Sequence, residues 1–165
     1  MQHKIFDLLL CFATPFDLQM LKEAEDWFVD GKWMKQWQRK AFKYVQIIII
    51  STKCASGQLI PRFFAVSKDS QKSTFTGILE GLSNIVGKEN MKIKTVTTDF
   101  EQSIRNAFLE FFDDRFLCLR GCAFHFDKCV QKKIKELRLS DIFTTELRAI
   151  LYGIVFVNLP ELFQI

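Results

Sequence analysis

The sequence predicts an α/β domain built on a mixed β-sheet, and two features carry that expectation. Three β-rich stretches come first, at residues 27–33, 44–51 and 59–68, the last two separated by a turn around Gly57. The hydrophobic period then lengthens, and helical stripes alternate with short strand-like runs at residues 93–98 and 115–120. An antiparallel trio of strands, with two parallel strands added through right-handed crossovers, satisfies that order.

Thr14-Pro15 reads as an N-cap followed by proline at the first helical position, opening a short helix that carries Leu18 and Leu21. The stretch WFVDGKW reads as a strand interrupted at Asp30-Gly31, a dipeptide with a strong turn preference. The run Ile47 to Ile50 implies burial on both faces, which places its strand inside the sheet. Pro61 pushes the return strand toward an edge, because proline has no N–H for the ladder. Phe75, Ile78, Leu79, Leu82, Ile85 and Val86 recur at helical spacing, and Gly87 supplies a left-handed stop. Ile104, Ala107, Phe108, Phe111 and Phe112 repeat the stripe, as do Phe126, Cys129, Val130, Ile134 and Leu137. Residues 143–156 make a last helix. This is the element order of an RNase H-like domain with flanking helices.

A chain of 165 residues fits one domain or part of a larger one. At that length roughly 70% of the unfolded surface can be buried, so neither metal nor disulfide is needed to hold a core. A hydrophobic share of 48%, with 18 phenylalanines, excludes a disordered chain. The five cysteines are odd in number and lie mostly in apolar segments, which favours a reducing compartment. Asp7 breaks the apolar start too early for a secretory signal, so that start reads as a buried element. The longest apolar runs fall well short of the ~20 residues that span a membrane.

The net charge of +4 is unevenly spread. Acids dominate before residue 32, and then Lys32, Lys35, Arg39, Lys40 and Lys43 follow without an acid, with Trp33 and Trp37 between them. Cations interleaved with aromatic rings suit a nucleic acid, since the cations meet phosphates and the rings stack on bases. The same composition also suits a solvated loop anchored by two tryptophans.

Two acids stand out. Asp99 closes the run at 93–98, where it is either a metal-binding carboxylate or the N-cap of the next helix, with Gln102 completing a capping box. Asp30 lies inside a strand-like stretch with little structural use for an acid, unless Asp30-Gly31 is simply a turn. In the expected sheet the strands bearing Asp30 and Asp99 are neighbours. Two carboxylates facing each other repel unless a divalent cation sits between them, and oxygen ligands suit Mg²⁺ or Mn²⁺.

Cys118, Cys122, His125 and Cys129 place four soft ligands within twelve residues. Ligands strung along one helix wrap a tetrahedral ion poorly, so structural zinc is the weaker reading and plain packing the stronger. His125 is a candidate acid/base or phosphate-binding group. The basic face Lys128, Lys132, Lys133, Lys135 and Arg138 reads as solvated.

Taken together, these segments resemble the transposase domain of Mutator-like elements over nearly the whole chain. ATPFDLQMLKEAEDWFVDGKW resembles the lead-in to the family's DGTF-type first strand, although Lys32 and Trp33 depart from that motif. TTDFEQSIRNAF resembles its TDFE segment, GCAFHFDKCVQKKI its G-C-x-F-H segment, and LRAILYGIVFVNLPELF the start of its helical insertion.

The resemblance implies Mg²⁺- or Mn²⁺-dependent DNA cleavage and joining, with transposon ends and target DNA as partners. It also implies self-association and a nuclear location. Asp30 and Asp99 become the first two catalytic acids and the metal ligands, with His125 near the scissile phosphate and Cys122 a motif residue of open role. Residues 1–140 are then the transposase core and 141–165 the start of an all-helical insertion, cut short. The family's third acid, a glutamate, lies beyond that insertion, and Glu146 and Glu161 do not replace it. The chain alone is therefore expected to bind DNA without cutting it. A different class of function is a domesticated, non-catalytic module that binds DNA or protein through the inherited fold. A zinc-binding interaction domain is a third.

Overall fold

The computed structural model describes residues 9–35, 44–113, 117–140, 142 and 145–156. Its strands are β1 (Leu9–Phe12), β2 (Asp26–Lys35), β3 (Tyr44–Lys53), β4 (Leu59–Ser67), β5 (Thr95–Thr98) and β6 (Cys118–Gly121). The helices are α1 (Pro15–Glu23), α2 (Lys72–Val86), α3 (Gln102–Phe112), α4 (Ala123–Glu136) and α5 (Thr145–Phe156). The sheet order is β1-β4-β3-β2-β5-β6. β1, β4, β3 and β2 pair antiparallel, whereas β5 and β6 join in parallel on the other side of β2. Leaving β1 aside, this is the RNase H-like fold that the element order predicts.

Two compact units divide the chain, Met1–Gly121 and Cys122–Ile165. The first holds the whole sheet and the core. Trp27, Val29, Ile48, Ile50, Phe63, Ala65 and Val96 line one face of the sheet and pack with Leu21 of α1, Phe75, Ile78, Leu79 and Leu82 of α2, and Ile104, Ala107 and Phe108 of α3. Trp27 anchors this layer. Its ring meets Phe108 and Phe112 edge-on at 6.4 and 6.2 Å, and its indole N–H donates to Leu21 O at 3.1 Å. A buried Trp needs that partner for its one polar atom.

The start of α1 is as the sequence implies. Thr14 is the N-cap, Pro15 begins the helix, and the Asp17 N–H donates to Thr14 Oγ1 at 3.1 Å. Gly57 and Gly87 both take positive φ, at the β3–β4 turn and at the end of α2.

Three readings need correction. First, β2 runs through Asp30-Gly31 without a break, paired with β3 from Trp27↔Thr52 to Lys35↔Tyr44. Cross-strand pairing overrides the turn preference of the dipeptide, and the basic stretch begins inside a strand rather than a loop. Second, β4 is not an edge strand, because β1 pairs along Phe64–Ser67. Pro61 is tolerated because it lies outside that β1 contact and at a bulge, where the register shifts between Ile50 and Ser51. Third, the described part of the apolar segment before α1 is the edge strand β1, where Leu9 packs partly against the core but Leu10 and Phe12 are exposed.

In the second unit Cys122 is the N-cap of α4, and Lys133 and Lys135 lie in the last turn, where the helix dipole favours cations. No described helix is long and apolar enough to cross a membrane.

Candidate metal and nucleic-acid site

The position of the site is set by how β5 docks on β2. Both Lys94 and Thr95 donate their backbone N–H to Glu25 O, at 2.8 and 2.9 Å, and Lys92 N–H donates to Lys22 O at 3.0 Å. Lys94 pairs with Glu25 at 2.6 Å, and Lys92 pairs with Glu23. These contacts start the parallel ladder Asp26↔Thr95, Trp27↔Val96, Phe28↔Thr97, Val29↔Thr98. The next residue on each chain is Asp30 and Asp99. The ladder therefore ends, at one rung, directly before each of the two acids.

Alternation does the rest on β2. Trp27 and Val29 face the core, so Asp30 falls on the opposite face and is exposed. Lys32 shares that face by parity and is exposed, whereas Trp33, 47% exposed, belongs to the other face. Lys35 ends β2, and Arg39, Lys40, Lys43 and Trp37 lie outside the described residues.

Asp99 is half-buried and is not the N-cap of α3. The N-cap is Glu101, with no side-chain cap bond, and Asp99 Oδ1 instead accepts the Glu101 N–H at 2.9 Å. An aspartate two residues before the cap makes a local turn of the Asx type. The capping-box reading with Gln102 fails for that reason.

A glycine makes room beside each acid. A Cβ on Gly31 would stand 2.5 Å from Gln46 Nε2, and Gln46 is 1% exposed. Across β5, a Cβ on Gly121 would stand 2.7 Å from Phe100 Cε1 and 2.8 Å from Cζ. The Phe100 ring thus rests on the backbone at the end of β6, next to Asp99. Sequence reasoning missed Gln46 and Phe100, and the only trace they leave there is a glycine beside each motif.

Of the remaining sequence candidates, Cys118 belongs to the first unit with Asp30 and Asp99, and Cys122, His125 and Cys129 belong to the second. His125 sits in the first turn of α4 with its ring edge-on to Phe124 at 5.6 Å, and Lys128 Nζ lies 4.1 Å over the Phe124 ring. Cys122 caps that helix. Among the described residues no three His, Cys, Asp or Glu side chains come together as a metal cluster.

No protein-family model matches the chain, and no curated protein matches it in sequence. Among solved structures it is similar to the HTLV-2 integrase catalytic core domain in complex with magnesium. The trimeric form of that domain is 13% identical, with 80% of this chain and 82% of that one covered and a TM-score of 0.37. The dimeric form is 10% identical, with 80% and 83% covered and a TM-score of 0.38.

The donor chemistry of the Asp30–Asp99 pair suits a hard divalent cation. Both groups are carboxylates, and among the described residues no thiol or imidazole joins them in a cluster.

Proposed function

We propose that the chain is the catalytic core of a DNA transposase of the Mutator-like kind. Residues 1–140 form the core and 141–165 the start of a helical insertion. The observation that supports this reading is the β2–β5 register, whose last rung, Val29↔Thr98, comes directly before Asp30 and Asp99. The order of the resembling motifs along the chain agrees with it.

Asp30 and Asp99 hold Mg²⁺ or Mn²⁺ in this reading, and the bound ion supplies Lewis-acid stabilisation of the charge that develops at a scissile phosphate. The chain's own residues do the rest. Lys32, on the Asp30 face, meets the phosphate backbone, and Lys35, Arg39, Lys40 and Lys43 extend the cationic path with Trp33 as a base-stacking ring. His125 and Cys122 enter this reading by motif alone, His125 as an acid/base or phosphate-binding group. Two carboxylates give one ion a partial ligand set, and a two-ion displacement needs a further acid. DNA, self-association and a nuclear site of action follow from the same reading.

The second reading is a domesticated module that binds DNA or protein without catalysis.

Fluorescence anisotropy with a short duplex, together with nicking of supercoiled plasmid in Mg²⁺ or Mn²⁺, tests the proposal. The expected result is weak binding that falls steeply with salt and tightens with the divalent ion, without nicking by this chain. Absence of DNA binding at low salt would overturn it. Binding that ignores both the ion and Asp30→Asn would favour the domesticated module.

A further inference from the structure

We infer that Phe100 is a positioning residue for Asp99, acting through its seat on Gly121. This rests on the reading that Asp30 and Asp99 hold a divalent cation, and extends it to what fixes the second carboxylate. Asp30 lies within a ten-residue strand paired to β3 on one side, and its neighbours are set by the ladder. Asp99 has no such support, because β5 ends at Thr98 and α3 begins at Gln102. The three residues between them must place the carboxylate.

Two contacts do so. Inside the loop, Asp99 Oδ1 accepts the Glu101 N–H at 2.9 Å, which ties the carboxylate to the entrance of α3. Between those partners stands Phe100, and its ring fills the space a side chain at position 121 would need. Gly121 pairs with Thr98 in the β5–β6 ladder, so the ring sits on the backbone directly beside the last residue of β5. Phe100 is 49% exposed, so the ring contributes less core than an enclosed phenylalanine does. The contact reads as a latch: it pins the middle of the loop to a rigid strand, and the residues on either side of Phe100 are the two partners of the carboxylate bond. Gly121 matters for the space it leaves, since its φ is not positive.

The contact also provides a clean probe. The nearest atoms that a methyl group at position 121 would meet belong to the far end of a half-exposed ring, so Gly121→Ala should displace the ring and spare the core. The experiment compares the full chain with Gly121→Ala, Phe100→Ala, Phe100→Leu, the Gly121→Ala/Phe100→Ala double variant and Asp30→Asn. One readout, taken without metal, is hydrogen exchange at the Glu101 amide by NMR. The other is Mn²⁺ affinity by calorimetry, with thermal midpoints recorded as a check on folding.

The expected result is faster exchange at Glu101 in Gly121→Ala and Phe100→Ala. Mn²⁺ affinity should fall about ten-fold or more, the usual loss when an outer-shell support is removed. Once the ring is gone the methyl group has nothing to displace, so the double variant should be no worse than Phe100→Ala. Phe100→Leu should recover part of both signals. The proposal is overturned if Glu101 exchange is unchanged in Gly121→Ala. It is equally overturned if exchange quickens while an Asp30-dependent Mn²⁺ affinity stays at the wild-type value. Failure of the underlying metal reading looks different: the wild-type chain then binds no Mn²⁺, or binds it as well after Asp30→Asn.

Discussion

Asp30 and Asp99 are each the first residue beyond the Val29↔Thr98 pair, the last rung of the β2–β5 ladder. Nothing in either local sequence requires this. It follows from the Glu25 carbonyl receiving the amides of Lys94 and Thr95, which fixes where the ladder starts. A slip of one residue would carry Asp99 away from Asp30 and reverse the faces of β5.

Gly31 should resist substitution for a reason unrelated to turn formation. In Gly31→Ala the new methyl group would stand 2.5 Å from Gln46 Nε2, and Gln46 is enclosed at 1% exposure. Over-packing of this kind typically costs about 1–3 kcal/mol. Urea denaturation should show that loss, and adding Gln46→Ala should return part of it through coupling of the touching pair. An unperturbed midpoint in Gly31→Ala would show that the amide has room to move.

Much of this was legible in the sequence, and the failures have physical causes. The helical stripes of α2 and α3, the Gly57 turn, the Gly87 stop and the Thr14 cap rest on local chemistry and are found, although Ile85 at the end of the α2 stripe is 67% exposed. The break at Asp30-Gly31 was misplaced because a turn preference is weak against a full ladder to β3. β1 was missed because four residues of LLCF carry too little period to distinguish a strand from any other apolar run. At the site, the two acids could be named from sequence, but Gln46 and Phe100 could not. Their roles depend on contacts with Gly31 and Gly121, across 15 and 21 positions of chain.

Trp27 should be the costliest single truncation in the first unit. It is 1% exposed, meets Phe108 and Phe112 edge-on, and donates to Leu21 O. Trp27→Ala is expected to cost about 3–5 kcal/mol, as for other enclosed aromatics. Trp27→Phe should cost less, since it keeps ring packing but leaves the Leu21 carbonyl without the indole. Chemical denaturation checks both, and a loss under ~1 kcal/mol in Trp27→Ala would contradict this picture of the core.

Acid stability should depend on Asp17. Its hydrogen bond with Thr14, then the bond from Arg62 at 3.0 Å, hold its carboxyl below the ordinary value of 3.8. A carboxyl depressed in the folded state contributes stability that is full above its unfolded pKa. That contribution is lost as pH falls through the folded one. Thermal midpoints from pH 2 to 7 should therefore fall less steeply on the acid side in Asp17→Asn. Parallel profiles for the two proteins would count against the assignment.

Lys32 and Trp33 are adjacent in sequence but lie on opposite faces of β2. If DNA approaches the Asp30–Asp99 pair, Lys32→Ala should weaken duplex binding and lower the salt slope by about one counterion. Trp33→Ala should have the smaller effect. The reverse ranking by anisotropy would place the nucleic acid on the helical side of the sheet, away from the acids.

The central claim is that Asp30 and Asp99 jointly hold a divalent cation, and thermal unfolding across a Mg²⁺ titration tests it most directly. Binding to the folded state alone should raise stability by about 2.7 kcal/mol at a hundred times the dissociation constant. Asp30→Asn and Asp99→Asn should each abolish the rise, because each removes one of the two carboxylates. A wild-type midpoint that does not move with millimolar Mg²⁺, or a rise that survives both substitutions, would contradict the account.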